Sequence, residues 1–146
     1  MELIKVKKLS ENAKLPVYAS ESAAAADLFC AEDGKILIPA GETRKIRTGI
    51  AMEIPSGYAG FIYARSGLAT KTGLAPANKV GVIDSDYRGE ILVALHNHSG
   101  VDAFVECGDR IAQMVIAAAP QFAFEEADEL TESERGAGGF GSTGQK

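Results

Sequence analysis

Apolar and polar residues alternate along much of this chain. ELIKVKKL, from Glu2 to Leu9, and KILIPAGETRKIRTGIAMEIP, from Lys35 to Pro55, both have the two-residue period that gives an extended strand one apolar and one polar face. The turn residues Pro39-Ala40-Gly41 and Pro55-Ser56-Gly57 break the second of these into short pieces. YAGFIYARSG, KVGVIDSDYRGEILVALHNHSG and DRIAQMVIAAAP continue in the same way, each bounded by glycine, asparagine or aspartate. No stretch carries a helical stripe except Glu125 to Glu134, and that one lacks an apolar face. Short strands at regular spacing with glycine turns predict an all-β sandwich or barrel. The one organisational break falls near Pro120. It divides a folded body, residues 1–122, from an acidic linker and glycine-rich end, residues 123–146.

Composition narrows this further. The chain has 146 residues with 46% apolar content, enough for one domain with a single core. Its N-terminus has no continuous apolar region and no run reaches the length of a membrane span, so a soluble protein is expected. Cys30 and Cys107 lack metal-ligand spacing and are expected to be reduced, structural thiols. A formal net charge of −5 argues against direct nucleic-acid binding through the phosphate backbone. A small anionic ligand is still permitted, because a local cationic cluster or a divalent metal reverses the field inside one cleft.

Several clusters carry candidate chemistry. Arg65, Ser66 and Gly67 put a guanidinium, a hydroxyl and an approachable backbone N–H within three residues, a combination suited to phosphate. The bland alternative is a strand end with a solvated arginine and a turn. Asp84 and Asp86 would share a face if the strand continued through them, which suits a carboxylate holding a water or a metal, yet Asp-Ser-Asp is also ordinary turn chemistry. Asp27 follows four alanines and precedes an apolar pair, so partial burial with a partner or a metal is expected. His96 and His98 lie two apart on one strand face without a third ligand at a suggestive spacing, and read as surface or packing residues. In the tail, RGAGGFGSTG spells G-x-G-x-x-G and also a P-loop whose lysine is replaced by Ser142, but too little chain follows to form the helix that such loops need.

These clusters occur together in a fixed order, and in that order the chain resembles the trimeric deoxyuridine triphosphatases (dUTPases). AAADL, RSGLATKTG, GVIDSDYRGE, GDRIAQM and RGAGGFGSTG stand where that family has its five motifs, and they span Ala24 to Gly144. The resemblance implies a β jelly-roll (β-clip-like) barrel with a flexible C-terminal tail, associated as a homotrimer with sites at the subunit interfaces. It also implies Mg2+-dependent hydrolysis of dUTP to dUMP and pyrophosphate. By the same resemblance Asp84 is the general base that activates the attacking water, and Asp27 helps hold the hydrated magnesium through water. Arg65, Ser66, Gly67 and Gln113 contact phosphates. The segment from Asn78 through Gly81, Val82 and Ile83 to Asp84 recognises uracil, and Tyr87 packs on the deoxyribose. Arg135, Phe140, Gly141, Ser142 and Thr143 close over the nucleotide as a lid. The expected location is cytoplasmic, or nuclear in a eukaryote. Ala25 replaces a usual glycine and Ala137 fills a position often polar in relatives; neither change is expected to abolish activity. Two other functions fit the same scaffold: a dCTP deaminase-related enzyme, or a dUTP-binding regulator without turnover.

Overall fold

The structure, a computed structural model, describes residues 3–138. Within them twelve strands and one short helix follow in the order β1 (Lys5–Lys8), β2 (Val17–Tyr18), β3 (Ala26–Phe29), β4 (Lys35–Ile38), β5 (Thr43–Arg47), β6 (Ile50–Glu53), β7 (Tyr58–Tyr63), α1 (Ser66–Thr72), β8 (Leu74–Pro76), β9 (Gly81–Ile83), β10 (Leu92–Asn97), β11 (Ala103–Glu106) and β12 (Arg110–Ala118). The all-β expectation holds. Every pairing is antiparallel, in sheets ordered β2-β3-β12-β7-β9, β5-β10-β8, β11-β4 and β1-β6.

The two-residue period is visible in burial. In β10, Val93, Leu95 and Asn97 are buried while Leu92 is exposed, and in β11 Ala103 and Val105 point inward past exposed Phe104 and Glu106. These inward positions join Leu28, Ile38, Ile46, Ile50, Ile62, Leu74, Ile111 and Met114 in one core. Asn97 is the polar member. Its amide donates to the carbonyls of Ile38 and Val101 at 2.9 and 2.8 Å, and its oxygen accepts from the Ser99 N–H and hydroxyl. All its polar atoms are therefore satisfied despite full burial.

Two segments differ from the sequence reading. Ser66–Thr72 forms a helix where a strand end and a turn were the bland expectation. It is two turns long, starts at an extended Arg65 without a side-chain cap, buries no residue completely, and stops at Gly73 in the left-handed conformation with φ 74°. The chain from Gln121 to Ser133 contains neither strand nor helix, so Glu125 to Glu134 forms no helix; Phe122, Phe124 and Leu130 along it are exposed. Both cysteines are free, with Cys30 buried and Cys107 exposed. Burial raises the Cys30 thiol pKa above its ordinary value. Among the described residues no helix is long and apolar enough to cross a membrane.

Candidate functional site

A row of three side-chain positions across the large sheet founds the first half of the site. Asp27 of β3 stands opposite Gln113 of β12, and Gln113 stands opposite Tyr63 of β7. Just past Tyr63 the chain turns into α1, and the Gln113 amide donates to the Ala64 carbonyl at 2.8 Å, fixing the point of departure. Arg65 is thereby directed back over β3, where its Nε donates to Asp27 Oδ1 at 2.6 Å. Asp27 is buried, as its alanine-rich context predicted, and its second oxygen accepts from Arg110 at 3.3 Å. One carboxylate thus faces two guanidiniums, leaving a local surplus of positive charge in a chain whose formal total is −5. Asp27, Tyr63, Arg65, Gln113 and Val115 line a cavity of about 410 Å³ there. Ser66 and Gly67, next along the chain from Arg65, are exposed, and nothing lies within 4 Å of where a Gly67 Cβ would stand, so the backbone is open to a ligand.

The second half is built by β8, β9 and the turn between them. That turn places Lys79 at φ 65°, with its N–H donating to the Pro76 carbonyl at 3.0 Å. Gly81 brings β9 close to β7: a Cβ there would lie 3.2 Å from that of Ile62 and 3.5 Å from the Asn78 amide nitrogen. β9 stops at Ile83, so Asp84 and Asp86 do not share a strand face. They occupy a turn in which the Tyr87 N–H donates to the Asp84 carbonyl at 3.2 Å. Tyr87 folds over Gly89, leaving no room there for a Cβ, and its hydroxyl donates to the Glu90 carbonyl at 2.9 Å. Asp84 borders two depressions. One, of about 220 Å³, is lined by Val82, Ile83, Tyr87 and Leu92. The other, of about 650 Å³, is lined by Tyr58, Phe61, Ser85 and Asp86.

The two halves do not meet within one chain. Neither cavity around Asp84 shares a lining residue with the one around Arg65. Ile83 pairs with Gly60, so the next position, Asp84, falls level with Ala59, six residues before Arg65 along an extended segment. At about 3.3 Å per residue, Asp84 and Arg65 are roughly 20 Å apart.

Arg135 lies in a tail turn closed by Gly136 N–H to Ser133 carbonyl at 3.0 Å, and its Nε donates to the Gly138 carbonyl at 2.7 Å. Phe140, Gly141, Ser142 and Thr143 lie outside the described residues. His96 is half-buried and His98 exposed. Arg110 and Tyr63 were not singled out from the sequence. The requirement that a buried Asp27 have a partner was the available signal for Arg110, but it could not say which of fifteen lysines and arginines would answer.

Among the described residues no three His, Cys, Asp or Glu side chains converge to hold a metal. Asp27 is the one acidic residue lining its cavity, and each of its oxygens keeps a further lone pair beyond its arginine. That donor set suits an ion that keeps most of its waters and takes its remaining ligands from phosphate, the habit of magnesium.

Residues 11–144 match the sequence model of the dUTPase family. A deoxyuridine 5'-triphosphate nucleotidohydrolase of Desulfitobacterium hafniense is 54% identical over 132 residues, covering 90% of this chain and 87% of that protein. One of Hydrogenobaculum sp. is 50% identical over 141 residues, covering 97% of each. The structure of the Staphylococcus bacteriophage 80alpha dUTPase with dUPNHPP superposes with a TM-score of 0.91 at 30% identity, covering 99% of both chains. A mutant dUTPase of phage phi11 of S. aureus, whose structure is described as revealing the coordination of a structural Mg(II) ion, gives a TM-score of 0.80 at 27% identity. It covers 88% of this chain and 98% of that one.

Proposed function

The chain belongs to the dUTPase family, and from that premise we propose that its copies hydrolyse dUTP to dUMP and pyrophosphate at sites where the Asp84 turn of one subunit faces the Arg65 groove of another. The observation that carries this is that Asp84 and Arg65 lie at opposite ends of β7, about 20 Å apart along the strand, and line cavities with no residue in common. A general base must come within about 3 Å of the water it activates. That water attacks a phosphorus whose own oxygens need the guanidinium, so one chain's Asp84 and Arg65 cannot serve the same nucleotide. Groove against turn is a contact between unlike surfaces, which closes into a ring when the rotation between neighbours returns to its start. Three copies, a jelly-roll connectivity of the body and a cytoplasmic location are the family's pattern and form part of this proposal.

In this mechanism Asp84 accepts a proton from water as its oxygen attacks the α-phosphorus, and pyrophosphate leaves. Arg65, Ser66, Gly67 and Gln113 hold the phosphate oxygens in line. Asp27 keeps the Arg65 guanidinium aimed, and it would hold hydrated Mg2+ through water. When bound, that ion offsets charge on the triphosphate. Main-chain groups of Gly81, Val82, Ile83 and Asp84, with the Asn78 side chain, meet the edge of uracil, so cytosine would leave polar groups unpaired and lose about 10⁴-fold or more. The hairpin from Asn78 to Asp84 leaves no space for a thymine methyl, and Tyr87 packs on deoxyribose against a ribose 2′-hydroxyl. Residues 123–146 form the linker and lid. Arg135 binds the γ-phosphate, Phe140 stacks on uracil, and Gly141, Ser142 and Thr143 cover the phosphates. The product serves thymidylate synthesis, and removal of dUTP keeps uracil out of DNA.

Pyrophosphate release from dUTP, dCTP, dTTP and UTP by the purified chain, with magnesium and after chelation, tests this reading. Fast magnesium-dependent turnover of dUTP alone is expected. Equal turnover of all four, or ammonia release from dCTP, would overturn it.

A further inference from the structure

The outer face of the β5-β10-β8 sheet holds a pair of imidazoles that the nucleotide chemistry does not use. His96 in β10 and His98 just past its end lie two residues apart, and fully buried Leu95 and Asn97 alternate with them. Their ring centres are 4.4 Å apart with the planes inclined at 67°. Across the strand pair, Thr43 of β5 stands opposite His96, and its hydroxyl lies 2.9 Å from His96 Nδ1. The His98 backbone is fixed in turn by its N–H donating to the Gly73 carbonyl at 2.9 Å.

We propose that His96 and His98 form a two-imidazole chelate for a divalent transition ion of the zinc, nickel and copper class. A tetrahedral ion with metal–nitrogen bonds of about 2.0–2.1 Å separates two ring centres by about 5 Å, within a small ring rotation of the present arrangement. With Nδ1–H donated to Thr43, His96 keeps its Nε2 lone pair for the ion, and the threonine orients the ring as a partner behind the ligand. The second imidazole is also ready. His98 is exposed, with its ring open to solvent on the side away from the core. Imidazole selects this ion class and magnesium prefers oxygen, so the site is chemically separate from the phosphate groove. Water completes the coordination. Lys79 is the opposing charge and weakens the site.

Isothermal titration of full-length protein with CuCl2, NiCl2 or ZnCl2 in a non-chelating buffer tests the site, using a Cys107→Ser background because that thiol is exposed. One ion per chain is expected, copper bound most tightly. His96→Asn and His98→Asn should each weaken binding at least ~10-fold, and Thr43→Val about 10-fold. Lys79→Gln should tighten it. Copper should also broaden the ring resonances of His96 and His98 selectively, while hydrolysis of dUTP with magnesium stays unchanged in His98→Asn. Absence of binding, unaltered affinity in both asparagine variants, or unbroadened rings would overturn the assignment.

Discussion

Replacing Asp27 by asparagine removes the charge on which two arginines converge, and the structure sets the size of the effect. Asp27 is 9% exposed and Arg65 23% in their side chains, with a contact of 2.6 Å. A charged hydrogen bond in such a setting contributes about 1.5–3 kcal/mol. Arg110 is 52% exposed at 3.3 Å, so solvent screens that pair to about 1 kcal/mol at most. The substituted amide would keep one acceptor for Arg65 but present its NH2 group to Arg110, a donor facing a donor. The sum is a loss of about 2–3 kcal/mol. Urea unfolding at fixed protein concentration should place the midpoint roughly 1 M lower with an unchanged slope. With Arg65 no longer held in line, KM for dUTP should rise and kcat fall, and added magnesium should not restore them. An unchanged midpoint and KM, or full recovery at high magnesium, would refute the view that Asp27 chiefly positions Arg65.

Other outcomes follow from the same geometry. Asp84→Asn should retain nucleotide binding but lose about 10²–10⁴-fold in single-turnover rate, the range for a general base. Truncation after Glu134 should lower kcat/KM by roughly 10–150-fold, equivalent to about 1.5–3 kcal/mol, measured in steady state. Gly49→Ala should destabilise by about 2–4 kcal/mol, since left-handed backbone and overpacking both apply. Its φ is 66° and the new Cβ would fall 2.6 Å from Ser10 Oγ and 2.8 Å from Ala13 Cβ. Gly34→Ala, at φ 75° in open space, should cost only about 1–2 kcal/mol, and denaturant midpoints distinguish the two.

Much of the fold was legible because alternation survives wherever a strand has one face on the core, as in β10 and β11. Helix α1 was not legible. SGLATKT is too short for a stripe, has no capping side chain and buries no residue completely; Gly73 at its end was the one local cue. The turn at Asp84 was read as one of two options, and the halt of β9 at Ile83 decided for it. Asp27, Arg65 and Gln113 were named as separate signals, yet nothing in their spacing showed that the register of β3, β12 and β7 brings them together. Nor could spacing place Asp84 far from them, because that distance comes from which end of β7 each segment joins.

The central claim, that neighbouring subunits share each site, is tested most directly by mixing two inactive variants. Asp84→Asn and Arg65→Ala, each alone, should leave every site defective. Denatured together in equal amounts and refolded, they should recover about a quarter of wild-type activity, because random assembly gives one site in four an intact groove from one subunit and an intact turn from its neighbour. If the mixture stays as inactive as its components while forming wild-type-sized assemblies, Asp84 and Arg65 act within a single chain and the account is wrong.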